Sequence, residues 1–166
     1  RIEAGRLNLR SSEDLIDDVI TEALHHGNRK SVEHSISVEN EEDFLLAKMD
    51  ARLIVQVIIN IVDNAIKYKP KGSHIVIRTC KRDGKAVVSI ADDGEGMADE
   101  MKARVFDMFY SGANKIADSR RSLGLGLSLC KSIINAHGGT ITVSDNAPRG
   151  TVFTFTLSSG EVKLHE

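Results

Sequence analysis

Between Asp50 and Lys69 the sequence carries two faces at once, and few folds can use such a segment. At about 100° per residue, Ile54, Ile58, Ile61, Val62, Ala65 and Ile66 make a broad apolar face. Gln56, Asn60, Asn64 and Lys67 gather on another. The spacing predicts a long helix against a core, stopped by Pro70 and Gly72. Solvated helix faces tend to use Glu and Lys, so two Asn four residues apart need an explanation. A solvent-facing or locally bonded pair is one. A row of neutral oxygen ligands is the other, because Asn carbonyls suit a hard cation such as Mg²⁺ without adding negative charge beside phosphates. In that second reading Lys67 contacts the phosphates and Tyr68 lies against a base.

Three glycine-bearing segments follow. Asp92-Asp93-Gly94-Glu95-Gly96 comes directly after a predicted strand. Glycine lets backbone approach a ligand closely, and a carboxylate at a strand end can accept from an adenine amino group; acidic glycine turns after strands are also common. The segment has neither the third glycine of a dinucleotide fingerprint nor the lysine of a Walker loop. Gly124-Leu125-Gly126-Leu127-Ser128 opens a second helix, whose first backbone amides suit a polyphosphate. A glycine hinge before a helix is the plain alternative. Lys115, Arg120 and Arg121 precede it, either as a solvated basic loop or as a lid closing over a ligand. Gly150-Thr151 begins the last strand and by itself is a turn.

The rest of the chain frames these pieces. Arg1–Arg10 reads as a lead-in with Gly5 as a helix stop. Ser11 or Ser12 would cap a helix running to about Gly27, with Glu13 and Asp14 complementing its dipole. Strands are expected at Val32–Glu39, Phe44–Met49, Ile75–Lys81, Ala86–Ala91, Thr140–Ser144 and Thr151–Leu157, with a tight turn at Asp83-Gly84. A helix from near Gly124 stops at Gly138-Gly139. Mixed helices and strands with a closing hairpin argue an α+β sandwich, one sheet with helices on one face.

At 166 residues the chain suits one domain, and with a net charge of -2 nothing suggests nucleic acid or an anionic membrane as a partner through bulk electrostatics. No apolar run approaches the ~20 residues of a membrane span, and no secretory leader is visible. Cys80 and Cys130 lie in a predicted strand and helix without a CxxC or His cluster, so two buried thiols in a reducing cytoplasm are expected.

Taken in order, the motifs resemble those of the GHKL superfamily (gyrase, Hsp90, MutL and histidine kinases). Asn60-Ile-Val-Asp-Asn64-Ala-Ile-Lys67-Tyr68 resembles the N box, and Asp92–Gly96 the first glycine box. Val105-Phe106-Asp107-Met108-Phe109-Tyr110 resembles the F box, Gly124–Leu127 the second glycine box, and Gly150-Thr151 the last glycine motif. The resemblance spans residues 12 to 158 or so. It implies a Bergerat-type α/β sandwich, one mixed sheet of about five strands backed by three main helices, with ATP under a mobile lid.

Carried over by position, the resemblance implies that Asn64 ligates Mg²⁺ and Asn60 assists at the metal and phosphates. Lys67 would contact phosphate, Tyr68 would pack on adenine, and Asp92 would bond its amino group. Gly94 and Gly96 would shape the pocket, Gly124, Leu125, Gly126 and Leu127 would surround the phosphates, and Thr151 would lie on the adenine side. Hydrolytic members place Glu at the first N-box position, where it orients water; Asn60 cannot act as a general base. ATP should therefore wait for an external nucleophile, which in histidine kinases is a His imidazole, and Asp63 would help orient it. Many members carry Arg directly after the F-box aromatics; Ser111 stands there, so Lys115, Arg120 or Arg121 would have to supply the catalytic cation. The lid spelling, Phe109 to Leu127, resembles KdpD-type kinases of the osmosensitive potassium system.

None of the 6 His sits in a phosphoacceptor box, which would read His, an acidic residue, then Pro. Ile2-Glu3-Ala4-Gly5-Arg6-Leu7 resembles the seam after the dimerisation helices. The expectation is therefore a lead-in over 1–10, a catalytic domain over 11–160 and a tail over 161–166. The dimerisation and phosphoacceptor domain would lie upstream, a response regulator would be the further partner, and no nucleic acid would bind. The parent would be a membrane-anchored homodimeric bacterial sensor, and this fragment a monomeric cytoplasmic piece unable to phosphorylate itself. Two rival readings are a serine-directed kinase of the anti-sigma-factor type and an ATP-sensing interaction module.

Overall fold

The computed structural model describes residues 9–26, 35–41, 44–67, 74–107 and 123–159. In chain order the elements are β1 (Ser12–Leu15), α1 (Ile16–His26), β2 (Ser35–Asn40), β3 (Leu46–Met49), α2 (Ala51–Lys67), β4 (His74–Arg82), β5 (Lys85–Asp92), α3 (Asp99–Arg104), α4 (Leu123–Ala136), β6 (Ile141–Asp145) and β7 (Thr151–Ser158). The main sheet has the order β2-β4-β5-β7-β6. β2 runs parallel to β4 and every other pair is antiparallel, so the sheet is mixed. β1 and β3 form a separate two-stranded ribbon, tied to the end of β7 by a bridge between Ala47 and Ser159.

The alternation of side chains in the sheet decides where the helices go. Ile75, Ile77, Ala86, Val88, Ile90, Phe153, Phe155 and Leu157 are all buried on one face, as period-two strands with one covered side require. The apolar stripe of α2 meets them: Ile54, Ile58 and Ile61 are at most 1% exposed. Burying one such side chain stabilises by roughly 1.5–3 kcal/mol. α1 and α4 flank α2 and complete the layer with Ile16, Val19, Ile20, Cys130, Ile133 and Ile134. This is the α/β sandwich expected, with α1, α2 and α4 as its main helices. At the β4–β5 hairpin, Asp83 (φ 53°) and Gly84 (φ 78°) are both left-handed, as a two-residue turn matching strand twist demands.

One element departs from expectation. Ser12–Leu15 is a strand rather than the first turn of α1, pairing antiparallel with Leu46–Met49. Neither Ser11 nor Ser12 caps the helix; the Ser12 hydroxyl donates to Asp14 at 2.8 Å. The helix begins at Ile16, whose N–H donates to the Leu45 carbonyl (2.9 Å). Asp17 and Asp18 occupy its first turn and take the dipole role assigned to Glu13 and Asp14. The Ser-acidic pattern imitates a cap, but ladder bonds to β3 hold the backbone extended. No helix among the described residues is long and apolar enough to cross a membrane.

Candidate functional site

The polar stripe of α2 faces the start of α4. Asn60 is half-buried: its amide oxygen accepts from Gln56 Nε2 (2.9 Å) and its Nδ2 donates to the Gly126 carbonyl (3.2 Å). A Cβ on Gly126 would stand 4.0 Å from the Asn60 amide carbon, an ordinary van der Waals contact, so this hydrogen bond does not itself require glycine. Four residues on, Asn64 is half-buried on the same stripe, while Asp63 is exposed. Lys67 closes α2. Beneath the contact, the Cys130 thiol is fully buried and donates to the Val57 carbonyl (3.7 Å). Burial pushes its pKa up to about 12.

The second half of the site is built where β5 and β7 end side by side. Asp92 is 4% exposed, and its carboxylate accepts the Gly94 N–H at 2.9 Å. Thr151 is 2% exposed, and its hydroxyl has no hydrogen-bond partner among the described residues. Asp92 follows Ala91 and Thr151 precedes Val152 of the last ladder pair, both on the helix-covered face shared with Ile90 and Phe153. A buried carboxylate beside an unpaired buried hydroxyl is costly in an apolar floor. The pair suits a ligand edge carrying both a donor and an acceptor.

The glycine turn between Asp92 and Gly96 is braced by a loop that the motifs did not single out. Asn146 Nδ2 donates to the Asp92 carbonyl (2.9 Å) and Arg149 Nε to the Gly94 carbonyl (2.8 Å). A Cβ on Gly96 would lie 3.4 Å from the Gly150 carbonyl. The first and last glycine motifs are thus one packed unit. Phe106 of the F box meets Phe153 edge-on (6.0 Å between ring centroids), with Lys131 of α4 5.8 Å over its ring.

Among the sequence-predicted residues, Asn60 and Gly126 are brought together between α2 and α4, with Asn64 one turn further along α2 and Gly124 and Leu125 in the first turn of α4. Asp92, Gly94, Gly96 and Thr151 are brought together at the ends of β5 and β7. Leu127 is 5% exposed and belongs to the core. Tyr68, Lys115, Arg120, Arg121 and the Met108–Tyr110 part of the F box lie outside the described residues, as does the Ile2–Leu7 seam. Asn146, Arg149 and Gln56 are the residues whose site contacts sequence reasoning missed; only Gln56 carried a signal, its place on the α2 stripe.

Among the described residues, no group of three or more His, Cys, Asp or Glu could hold a metal ion. A cation here would rest on neutral amide oxygens together with phosphates and water, which fits Mg²⁺. A separate groove of about 610 Å³, lined in part by Glu39, Arg78, Cys80, Arg82, Ser89 and Thr154, lies over the outer sheet and contains none of these residues.

A mixed sheet with helices on one face, a paired-amide helix and glycine turns at the strand ends define a nucleotide-binding sandwich domain. The chain belongs to the histidine kinase-, DNA gyrase B-, and HSP90-like ATPase family, whose model matches residues 49–161, and ATP is its nucleotide. It is 38% identical over 157 residues to the sensor protein KdpD of Clostridium acetobutylicum, covering 95% of this chain and 17% of that protein. It is 35% identical over 156 residues to the adaptive-response sensory kinase SasA of Gloeothece citriformis, covering 92% and 39%. The chain thus spans well under half the length of these curated relatives. The catalytic domain of histidine kinase ThkA superposes with a TM-score of 0.79 at 28% identity, covering 92% of this chain and 96% of that one. ThkA is also known in complex with the response regulator protein TrrA, where the match has a TM-score of 0.76 at 28% identity and covers 90% of this chain and 42% of that one.

Proposed function

We propose that this chain is the catalytic domain of a sensor histidine kinase, binding ATP and giving its γ-phosphoryl group to a histidine on another domain of the same protein. The observation that carries the reading is Asn60. It stands at the junction of α2 and α4, its amide engaged by Gln56 and Gly126, where hydrolytic members of the superfamily carry Glu. An amide cannot take a proton from water, so the site holds ATP for an external nucleophile. The likeness to the ThkA catalytic domain over nearly its whole length supports this reading.

Phosphoryl transfer needs positioning and charge neutralisation more than covalent help from the protein. Asp92 accepts from the adenine amino group and Thr151 lies on the same side, with Tyr68 packed on the ring. Asn64, assisted by Asn60, would hold Mg²⁺, which neutralises phosphate charge when bound. Lys67 contacts phosphate, the first amides of α4 at Gly124–Leu127 face the polyphosphate, and Lys115, Arg120 or Arg121 supplies a lid cation. Asp63, exposed one turn from Asn60, orients the incoming imidazole. The partner domains follow: an upstream dimerisation and phosphoacceptor domain, then a response regulator, in a membrane-anchored homodimer of KdpD type. The 38% identity to KdpD supports that last assignment.

The test mixes this chain with a cognate dimerisation fragment and radiolabelled ATP. An acid-labile, base-stable phosphohistidine on the fragment is expected, and no label on this chain alone. Measurable ATP binding with no labelled histidine would sink the kinase reading.

A further inference from the structure

Every hydrogen-bonding group of Asp50 is in use, and each points to a different part of the domain. Its carbonyl accepts from Leu53 (3.0 Å) and Ile54 (3.1 Å) and so begins α2. Its N–H donates to His137 Nε2 (3.0 Å), just past the end of α4. His137 Nδ1 sits 2.8 Å from the Ile133 carbonyl, so the proton lies on Nδ1 and Nε2 is free to accept. The carboxylate, 2% exposed, accepts the Arg10 N–H (3.0 Å) and is gripped by Arg52 Nε (3.1 Å) and Nη2 (2.8 Å).

We propose that Asp50 and His137 form a node through which the chain entering at Arg10 and the ATP-binding helices bias one another. α2 and α4 are tied at both ends, Asn60 to Gly126 beside the phosphate motif and Asp50 to His137 at the far end, with the Cys130–Val57 contact between them. At 1.5 Å per residue, about 15 Å of helix separates the two points on α2, and nearly the same on α4. Between them Ile54, Ile58, Ile133 and Ile134 are at most 1% exposed. An interdigitated core of that kind resists sliding, so a shift at one point is carried to the other. Arg10 leads directly into β1, whose Ser12 pairs with Met49 beside Asp50. A pull on the entering chain therefore falls on the residue that starts α2 and holds the end of α4. This rests on the ATP reading above, and linkage makes it reciprocal: ATP must act back on Arg10 by the same factor.

The test is amide-resolved hydrogen exchange by NMR on this chain, with and without a saturating non-hydrolysable ATP analogue and Mg²⁺. The Arg10 amide is expected to exchange about tenfold more slowly with the analogue bound. Asp50→Ala should abolish that response and weaken analogue affinity by about the same factor. His137→Leu should lose the response although the Arg10–Asp50 contact stays, whereas His137→Gln, which restores an acceptor near Nε2, should keep it. A denaturant titration of each variant separates this from general loss of fold. Analogue binding that leaves Arg10 unmoved, or a wild-type response in His137→Leu, would overturn the node alone. Failure of the unaltered chain to bind the analogue would overturn the ATP reading and the node with it.

Discussion

A Cβ on Gly150 would stand 1.9 Å from the backbone oxygen of Asp92, and Gly150 holds a φ of 113°. The last glycine motif is therefore glycine for a steric reason: it lets β7 start against the end of β5, where Asp92 must stay. Gly150→Ala should destabilise the domain by about 2–4 kcal/mol, from the left-handed backbone and the forced shift of Asp92 together. Urea denaturation measures this, and an unchanged midpoint would contradict the packing described. ATP affinity should fall as well, because the displaced oxygen belongs to the residue proposed to accept from adenine.

Asp92→Asn tests the chemistry at that position without changing its volume. The amide can still accept the Gly94 N–H that the carboxylate now takes at 2.9 Å, so the fold should lose less than about 1 kcal/mol. ATP affinity should fall about tenfold or more, as one good polar contact is worth roughly that. The preference for ATP over GTP should narrow in parallel. Calorimetry with both nucleotides decides it, and equal ATP affinity in the two proteins would remove Asp92 from the adenine site.

The first half of the site was legible from the chain because it is local. Asn60 and Asn64 share a stripe set by the helical period, and the apolar stripe beside it is the face that α2 buries. The second half depends on partners far apart in sequence. Nothing in Asn146 or Arg149 marks them as props for the Asp92–Gly94 turn, since their contacts exist only once β5 and β7 have paired. The misread start of α1 has the same origin: Ser12 followed by acidic residues imitates a cap, and only pairing with Met49 makes it a strand. The cysteines show both outcomes. The sequence predicts burial for both thiols; Cys130 is buried, under Asn60, whereas Cys80 is only half-buried on the outer sheet.

Asn64→Ala should separate metal dependence from nucleotide binding. In the proposed role, loss of the amide oxygen would leave Mg²⁺ its waters and phosphate ligands but remove a protein anchor. The ratio of ATP affinities with and without Mg²⁺ should therefore collapse towards one, while affinity in the presence of a chelator changes little. A ratio equal to that of the unaltered chain would show that Asn64 does not serve the metal.

Cys130 should resist alkylation in the folded domain. Its thiol is buried, and burial pushes its pKa up to about 12, so almost no thiolate exists at neutral pH. Cys80 is only half-buried, with Arg82 Nε donating to its sulfur at 3.3 Å. Mass spectrometry after iodoacetamide treatment at neutral pH should find Cys80 modified and Cys130 untouched until denaturant is added. Early modification of Cys130 would mean that the α2–α4 interface opens far more readily than its packing implies.

Acid should weaken the domain partly through Asp50. Side-chain hydrogen bonds from Arg52, with help from the Arg10 N–H, lower its carboxyl from an ordinary 3.8 to about 2 despite burial. A depressed folded pKa means that the unfolded chain binds the proton first. The contribution is therefore complete above pH ~4 and is lost as pH falls through the folded value near 2. Arg52 is 66% exposed, so water screens the pair and its contribution is small. Thermal unfolding of the unaltered chain and of Arg52→Ala should differ at pH 6 and converge towards pH 2. A gap that widened on acidification would mean that the Asp50 carboxyl prefers its protonated form in the fold, and the assigned contacts would have to be wrong.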